Sequence, residues 1–143
     1  MFAYKLESVR VKDESFVYEG NTSFNDGSAV FAFAKSLQDL DVEKFLVLYT
    51  DGQNKLIGIT SNMGTVNQCQ VYPREIFKHA LLCGATGFIL VHNHPSNSLT
   101  FSEQDKEVSL RIKHGANVLG INFLDHIVMT SEGYISMQGQ GLL

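Results

Sequence analysis

Phe88-Ile89-Leu90-Val91 is an unbroken apolar run, and it leads directly into His92-Asn93-His94-Pro95. A strand with one wet face alternates apolar and polar residues. Four apolar residues in a row predict a short strand covered on both faces. The chain must therefore supply packing material for both sides of a sheet, and polar chemistry sits where that strand ends.

The flanking sequence supplies the rest of the layers. After a turn-rich stretch from Asn21 to Gly27, Val30, Phe33, Ala34 and Leu37 recur at helical spacing and predict an amphipathic helix over Ser28–Leu40. Phe45–Tyr49 reads as a strand, Asp51-Gly52 as a turn, and Leu56–Thr60 as the returning strand of a hairpin. Pro73 suits the first turn of a helix, where no amide hydrogen is needed, and Ile76, Phe77, Ala80 and Leu81 give that helix one apolar face. A further helix is expected over Ser102–His114, with Val108 and Ile112 inward. Val118–Phe123, His126–Thr130 and Tyr134–Met137 are strand candidates, as are Val9–Val11, Phe16–Tyr18 and, more weakly, Gly64–Val71. Strands and helices alternate, so the expected class is α/β: one mixed β-sheet flanked by helices.

A chain of 143 residues fits one domain, and with 44% apolar residues it can bury an ordinary core without staples. Cys69 and Cys83 form no CxxC pair and read as free thiols in a reducing compartment, Cys83 as a small core residue. Met1–Arg10 holds no apolar run of the kind a signal peptide needs, and nothing approaches the ~20 apolar residues of a membrane span. The expected location is the cytoplasm, away from membranes.

Charge speaks against nucleic acid. Eleven Lys and Arg stand against 15 Asp and Glu, a net charge of −4. Among the cations, Lys106, Arg111 and Lys113 share one predicted helix and could meet two or three phosphates, but a solvated face explains them as well. DNA binding no tighter than about 10⁻⁵ M at physiological salt is expected.

The chemistry concentrates in one span. His92 and His94 are two apart in extended backbone, so both imidazoles can point to one side, and Pro95 favours an extended conformation at His94. Asp105 opens the next predicted helix, and the intervening loop is long enough to fold it back. Two neutral histidines and a carboxylate with a fourth position open make a catalytic zinc set, in which the ion lowers the pKa of a bound water to about 7. Ser102 and Asp105 also form an S-x-x-D capping box, which accounts for both residues without a metal. A single histidine at a strand end is more often structural than functional. No such explanation accounts for all of these features falling within fourteen residues.

HNHPSNSLTFSEQD resembles the JAMM metalloprotease signature, in which H-x-H-P is followed by Ser and then by Asp three residues later, eleven residues after the second histidine. VYPREIFKHAL, GFILVHNHPS, LGINFLDHIVM and GYISMQGQGLL, in that order, resemble the RadC-like branch of that family across roughly Phe24–Leu143. The resemblance implies a JAB1/MPN architecture, related to cytidine deaminases, over residues 21–143, behind a short strand extension over 1–20. Met1–Asn21 is too short for the helix-hairpin-helix region that full-length members carry. The resemblance also implies that His92, His94 and Asp105 hold Zn2+, that Ser102 orients or stabilises the oxyanion, and that Glu43 takes a proton from the attacking water, with Glu75 the next candidate. Asn97 stands where glycine is usual, and Leu99-Thr100-Phe101 replaces a proline-richer stretch. Asp125-His126 belongs to the pattern too. The favoured role for the pair is tying the strand down; supporting the metal site from behind is the other.

The activity implied is a zinc-dependent metallopeptidase or isopeptidase acting on a peptide or protein substrate. The alternative is an accessory factor in DNA repair or mobile-element biology that works without peptidase activity. An inert scaffold of the same fold typically loses ligands, whereas all three are present here. A nucleobase deaminase would need H-x-E with P-C-x-x-C, and this chain lacks both. Oligomeric state is left open.

Overall fold

A computed structural model describes residues 23–63 and 71–143. The expected strands at Val9–Val11 and Phe16–Tyr18, residues 64–70 of the strand expected over Gly64–Val71, the extension over 1–20 and Cys69 lie outside the described residues. The elements run α1 (Gly27–Phe33), a 3-10 turn (Lys35–Leu37), β1 (Lys44–Thr50), β2 (Leu56–Met63), α2 (Pro73–Cys83), β3 (Gly87–Asn93), α3 (Glu103–Leu119), β4 (Asn122–Thr130) and β5 (Gly133–Ser136). The strands form one mixed sheet in the order β2-β1-β3-β4-β5. β1 runs antiparallel to β2 and β3, β3 and β4 are parallel, and β5 returns antiparallel to β4. The expected α/β class is what forms.

β3 is central, and all seven of its residues are buried. On one face Phe88 and Leu90 join Phe45, Val47 and Tyr49 of β1 beneath α2 and α3. On the other, Ile89 and Val91 join Leu46, Leu48, Ile127 and Met129 against Val30, Ala34 and Leu37. Each fully buried residue of this size contributes about 1.5–3 kcal/mol, so apolar contacts hold the helices to both faces of the sheet. Thr50 is the one deeply buried hydroxyl of β1 with no hydrogen-bond partner among the described residues.

Local differences from expectation have physical reasons. α1 ends at Phe33, short of Leu40, because the backbone tightens into the 3-10 turn, which still delivers Leu37 to the core. The loop after β1 closes on Asp51, whose carboxylate accepts from the backbone N–H of Gln53 (2.8 Å) and of Lys55 (3.0 Å). α3 passes through Gly115 and runs to Leu119. A Cβ at Gly115 would lie 2.7 Å from the Phe77 ring, so this glycine lets α2 and α3 approach closely. Gly120, at φ +68°, ends the helix. Val118 and Leu119, expected in a strand, are therefore its exposed last residues, and β4 is a single strand from Asn122. Cys83 packs at the edge of the core, as expected. No described helix is long and apolar enough to cross a membrane.

Candidate metal centre

The site forms where β3 leaves the sheet. His92 shares the face of Phe88 and Leu90, and its ring stacks on Phe45, its register partner in β1, at 4.8 Å and 8°. His94 lies one residue beyond β3, but its backbone N–H donates to Met129 O at 2.9 Å, so the extended path continues into the second ligand position. Both imidazoles therefore face the same way, as their spacing predicts.

Asp105 arrives from α3. Ser102 N–H donates to Asp105 Oδ2 (2.9 Å), and Asp105 N–H donates to Ser102 Oγ (3.0 Å), completing a capping box. Capping does not compete with a ligand role. It fixes the carboxylate with Oδ1 turned 3.4 Å from His92 Nε2 and Oδ2 3.4 Å from His94 Nε2, while the two Nε2 atoms lie 2.9 Å apart. Bonds of ~2.0–2.1 Å in a tetrahedral site put ligand atoms about 3.3 Å apart, so these separations match a shared ion. The three residues form the group of His, Cys, Asp and Glu side chains, among the described residues, able to hold a metal. The donor set of two imidazoles and one carboxylate, open on one side, fits a divalent ion of the zinc type.

The polar atoms behind the ligands are also engaged. His94 Nδ1 lies 2.8 Å from Ser98 O, which makes Nδ1 the protonated nitrogen and leaves the Nε2 lone pair toward the site. His92 Nδ1 lies 2.8 Å from His126 Nε2, and His126 Nδ1 lies 2.7 Å from Ser109 Oγ. Burial would push the Asp105 carboxyl up, but hydrogen bonds and charge from His92 and His94, with Ser102 N–H, outweigh it and hold Asp105 far below the usual carboxylate range. Burial works against a charged His94, yet Asp105, the Ser98 carbonyl and Glu43 raise its pKa overall. Burial, reinforced by the nearby His92, drives His126 well below the usual histidine range, so that ring is neutral.

A cleft of about 610 Å³ opens over the site, lined among others by Glu43, Tyr72, His94, Ser102, Asp105 and Arg111. Glu43 immediately precedes β1, and burial raises its pKa against the opposing influence of His92 and His94. Its segment is gripped by Asn93. Asn93 Oδ1 accepts from Lys44 N–H (2.7 Å), and its amide N–H₂ donates to Val42 O (2.9 Å). Glu75, the other acid considered, pairs with Lys78 at 2.8 Å and faces a smaller neighbouring hollow. Glu43, Ser102, His94 and Asp105 thus line one cleft, with the buried His92 against His94 and Asp105, and Glu75 lies outside it.

Asp125 and His126, adjacent on β4, point to opposite faces and have different partners. Asp125 ties the strand down: it accepts from His126 N–H (2.7 Å), Gln138 N–H (3.0 Å) and the Ser136 hydroxyl. His126 instead reaches His92, Nε2 to Nδ1 at 2.8 Å, on the face that carries the site. Ser109 was missed altogether. Its signal was a polar residue on the buried stripe of α3, one turn after Asp105 and one before Ile112. The departures in the loop are accommodated. Asn97 adopts φ +59°, a conformation asparagine tolerates, and accepts from the Ser131 hydroxyl at 2.8 Å, while Phe101 is buried against Val128 and Met137.

The sequence matches the family model for the RadC-like JAB domain over residues 24–142. It is 41% identical over 111 residues to a UPF0758 protein of Actinobacillus pleuropneumoniae, covering 77% of this chain and 50% of that protein. It is 42% identical over 118 residues to one of Finegoldia magna, covering 81% and 53% respectively. A Desulfitobacterium hafniense UPF0758 protein is 38% identical over 110 residues, covering 76% and 48%. The chain spans about half the length of the curated relatives it matches.

Proposed function

The chain belongs to the RadC-like JAB domain family, and from that premise we propose that it is a zinc-dependent hydrolase of amide bonds, a metallopeptidase or isopeptidase. The observation that carries this reading is the convergence of His92 Nε2, His94 Nε2 and the Asp105 carboxylate on one point at the floor of an open cleft. A divalent ion held there supplies Lewis acidity, which acidifies water and polarises a carbonyl.

The protein's own groups then have definite tasks. Glu43, on the cleft wall, accepts the proton of the attacking water through its carboxylate and delivers it to the departing amine. Burial raises its pKa above the ordinary glutamate value, which favours its taking up that proton. Ser102 Oγ already accepts from Asp105 N–H, so its own O–H is left to donate to the oxyanion that develops on the scissile carbonyl. Asp105 stays ionised, and His94 keeps its Nε2 lone pair because Nδ1 is committed to Ser98 O. The cleft's size admits a segment of extended peptide, in keeping with a peptide or protein substrate.

The test is hydrolysis of peptide and isopeptide substrates by the metal-loaded protein. Cleavage abolished by a chelator and restored by zinc is the expected result. Cleavage that survives complete removal of metal would refute the proposal.

A further inference from the structure

Behind His92 runs a short buried chain of polar groups that the proposed chemistry does not use. His92 Nδ1 and His126 Nε2 are 2.8 Å apart, and His126 Nδ1 and Ser109 Oγ are 2.7 Å apart. Both rings are 0% exposed and Ser109 is 1% exposed. Resting on the reading that His92 Nε2 faces an ion, we propose that His126 and Ser109 are positioning residues that hold His92 in the one tautomer able to bind it.

A neutral imidazole carries one hydrogen. If Nε2 of His92 gives its lone pair to an ion, the hydrogen sits on Nδ1 and needs an acceptor. His126 Nε2 is in place to accept it. That puts the hydrogen of His126 on Nδ1, from which it is donated to Ser109 Oγ. The reverse setting is equally self-consistent. The Ser109 hydroxyl donates to His126 Nδ1, His126 Nε2–H donates to His92 Nδ1, and His92 then carries its hydrogen on Nε2. That hydrogen points at the ion's place, toward Asp105 Oδ1 at 3.4 Å. The three groups thus have two all-or-none settings, and only one leaves the site ready to bind.

Burial decides what the chain can do. It ends at a serine closed off from solvent, so it provides no route for protons out of the site, and its task is orientation. The surrounding rings fix the imidazoles in place: Phe45 stacks on His92 at 4.8 Å and lies 5.6 Å from His126, and Phe101 lies 5.8 Å from His126. Metal-binding histidines more often donate to a carboxylate or a carbonyl. A neutral imidazole as acceptor adds no negative charge behind the ligand, which leaves the hydrogen's placement as its main contribution.

The experiment is a zinc competition titration of the metal-stripped protein against a chromophoric chelator, for the wild type, His126→Leu, His126→Gln and Ser109→Ala. Long-range proton–nitrogen spectra of the histidine rings in the zinc-loaded wild type accompany it. Removing such an outer partner typically costs about 10–100-fold in metal affinity, and that loss is expected for His126→Leu. His126→Gln, which can place an amide oxygen near the former Nε2, should recover most of it, and Ser109→Ala should fall between. The spectra should show His126 protonated on Nδ1. Affinity of His126→Leu within about two-fold of the wild type, well short of that range, or His126 protonated on Nε2 in the loaded protein, would overturn the proposal. Should His126→Leu fail to fold, the wild-type spectrum decides alone. A wild type that takes up no zinc overturns the reading of the site itself, and this inference with it.

Discussion

Two pairs of adjacent residues, His92-Asn93 and Asp125-His126, place polar side chains on opposite faces of the same sheet. Toward α1, Asn93 and Asp125 are saturated: Asn93 by the backbone of Val42 and Lys44, Asp125 by the backbone of His126 and Gln138 and the Ser136 hydroxyl. Toward α2 and α3, the polar atoms of His92, His94 and Asp105 lie against one another, with donor atoms converging on a shared point. Asn93, Asp125, His92 and Asp105 are buried and His94 is half-buried, so both sets are polar at a cost that burial imposes. What separates them is where their lone pairs are spent. Saturation by neighbouring groups marks a structural side chain, whereas lone pairs facing one another mark a group placed to hold an ion.

Altering each face in turn sharpens that contrast. The largest effect is expected at Glu43. Glu43→Gln should keep its metal and lose hydrolysis by ~10²-fold or more. A base must be unprotonated to act, so wild-type activity should fall as pH drops through a Glu43 pKa that burial has raised. The acid limb of kcat/KM should therefore lie above the ordinary glutamate range. Activity that persists in Glu43→Gln would move the role to another acid.

A smaller effect, and of a different kind, is expected on the saturated face. Asn93→Ala leaves Lys44 N–H and Val42 O without their partner, and an unsatisfied buried backbone group costs about 1–3 kcal/mol. Denaturant unfolding should show a loss of about 2 kcal/mol on that basis, with zinc stoichiometry unchanged. If Asn93→Ala instead unfolded normally and released its zinc, the division between the two faces would be wrong.

The smallest effect concerns DNA. Lys106 is paired with Glu103 at 2.8 Å, Arg111 lines the cleft, and the chain carries a net charge of −4. Anisotropy titration at about 150 mM salt should show no binding to duplex or single strands tighter than about 10⁻⁵ M. Sub-micromolar affinity would favour the accessory-factor alternative over the hydrolase.

The candidate ligands were legible in the sequence because their placement depends on local rules. Alternation in a strand aims His92 and His94 together, and an N-terminal capping box orients Asp105. The support behind them depends on long-range register. Phe45 meets His92, and His126 comes within reach of His92 across the parallel pairing of β3 with β4, only through sheet order, which no local pattern specifies. One clue went unread. Adjacent residues of a strand face opposite ways, so Asp125 and His126 could not share a single role. α3 also runs beyond the expected His114, through Gly115, where the Phe77 ring packs closely against the helix.

The central claim is that the cluster of His92, His94 and Asp105 is a metal site, and metal analysis of protein purified without added metal tests it most directly. The expectation is about one zinc per chain in the wild type and none in the double variant His92→Ala, His94→Ala, with the fold retained because the core does not depend on the ion. A wild type free of bound metal that cannot be loaded with zinc, or a double variant that still carries its full complement, would contradict it.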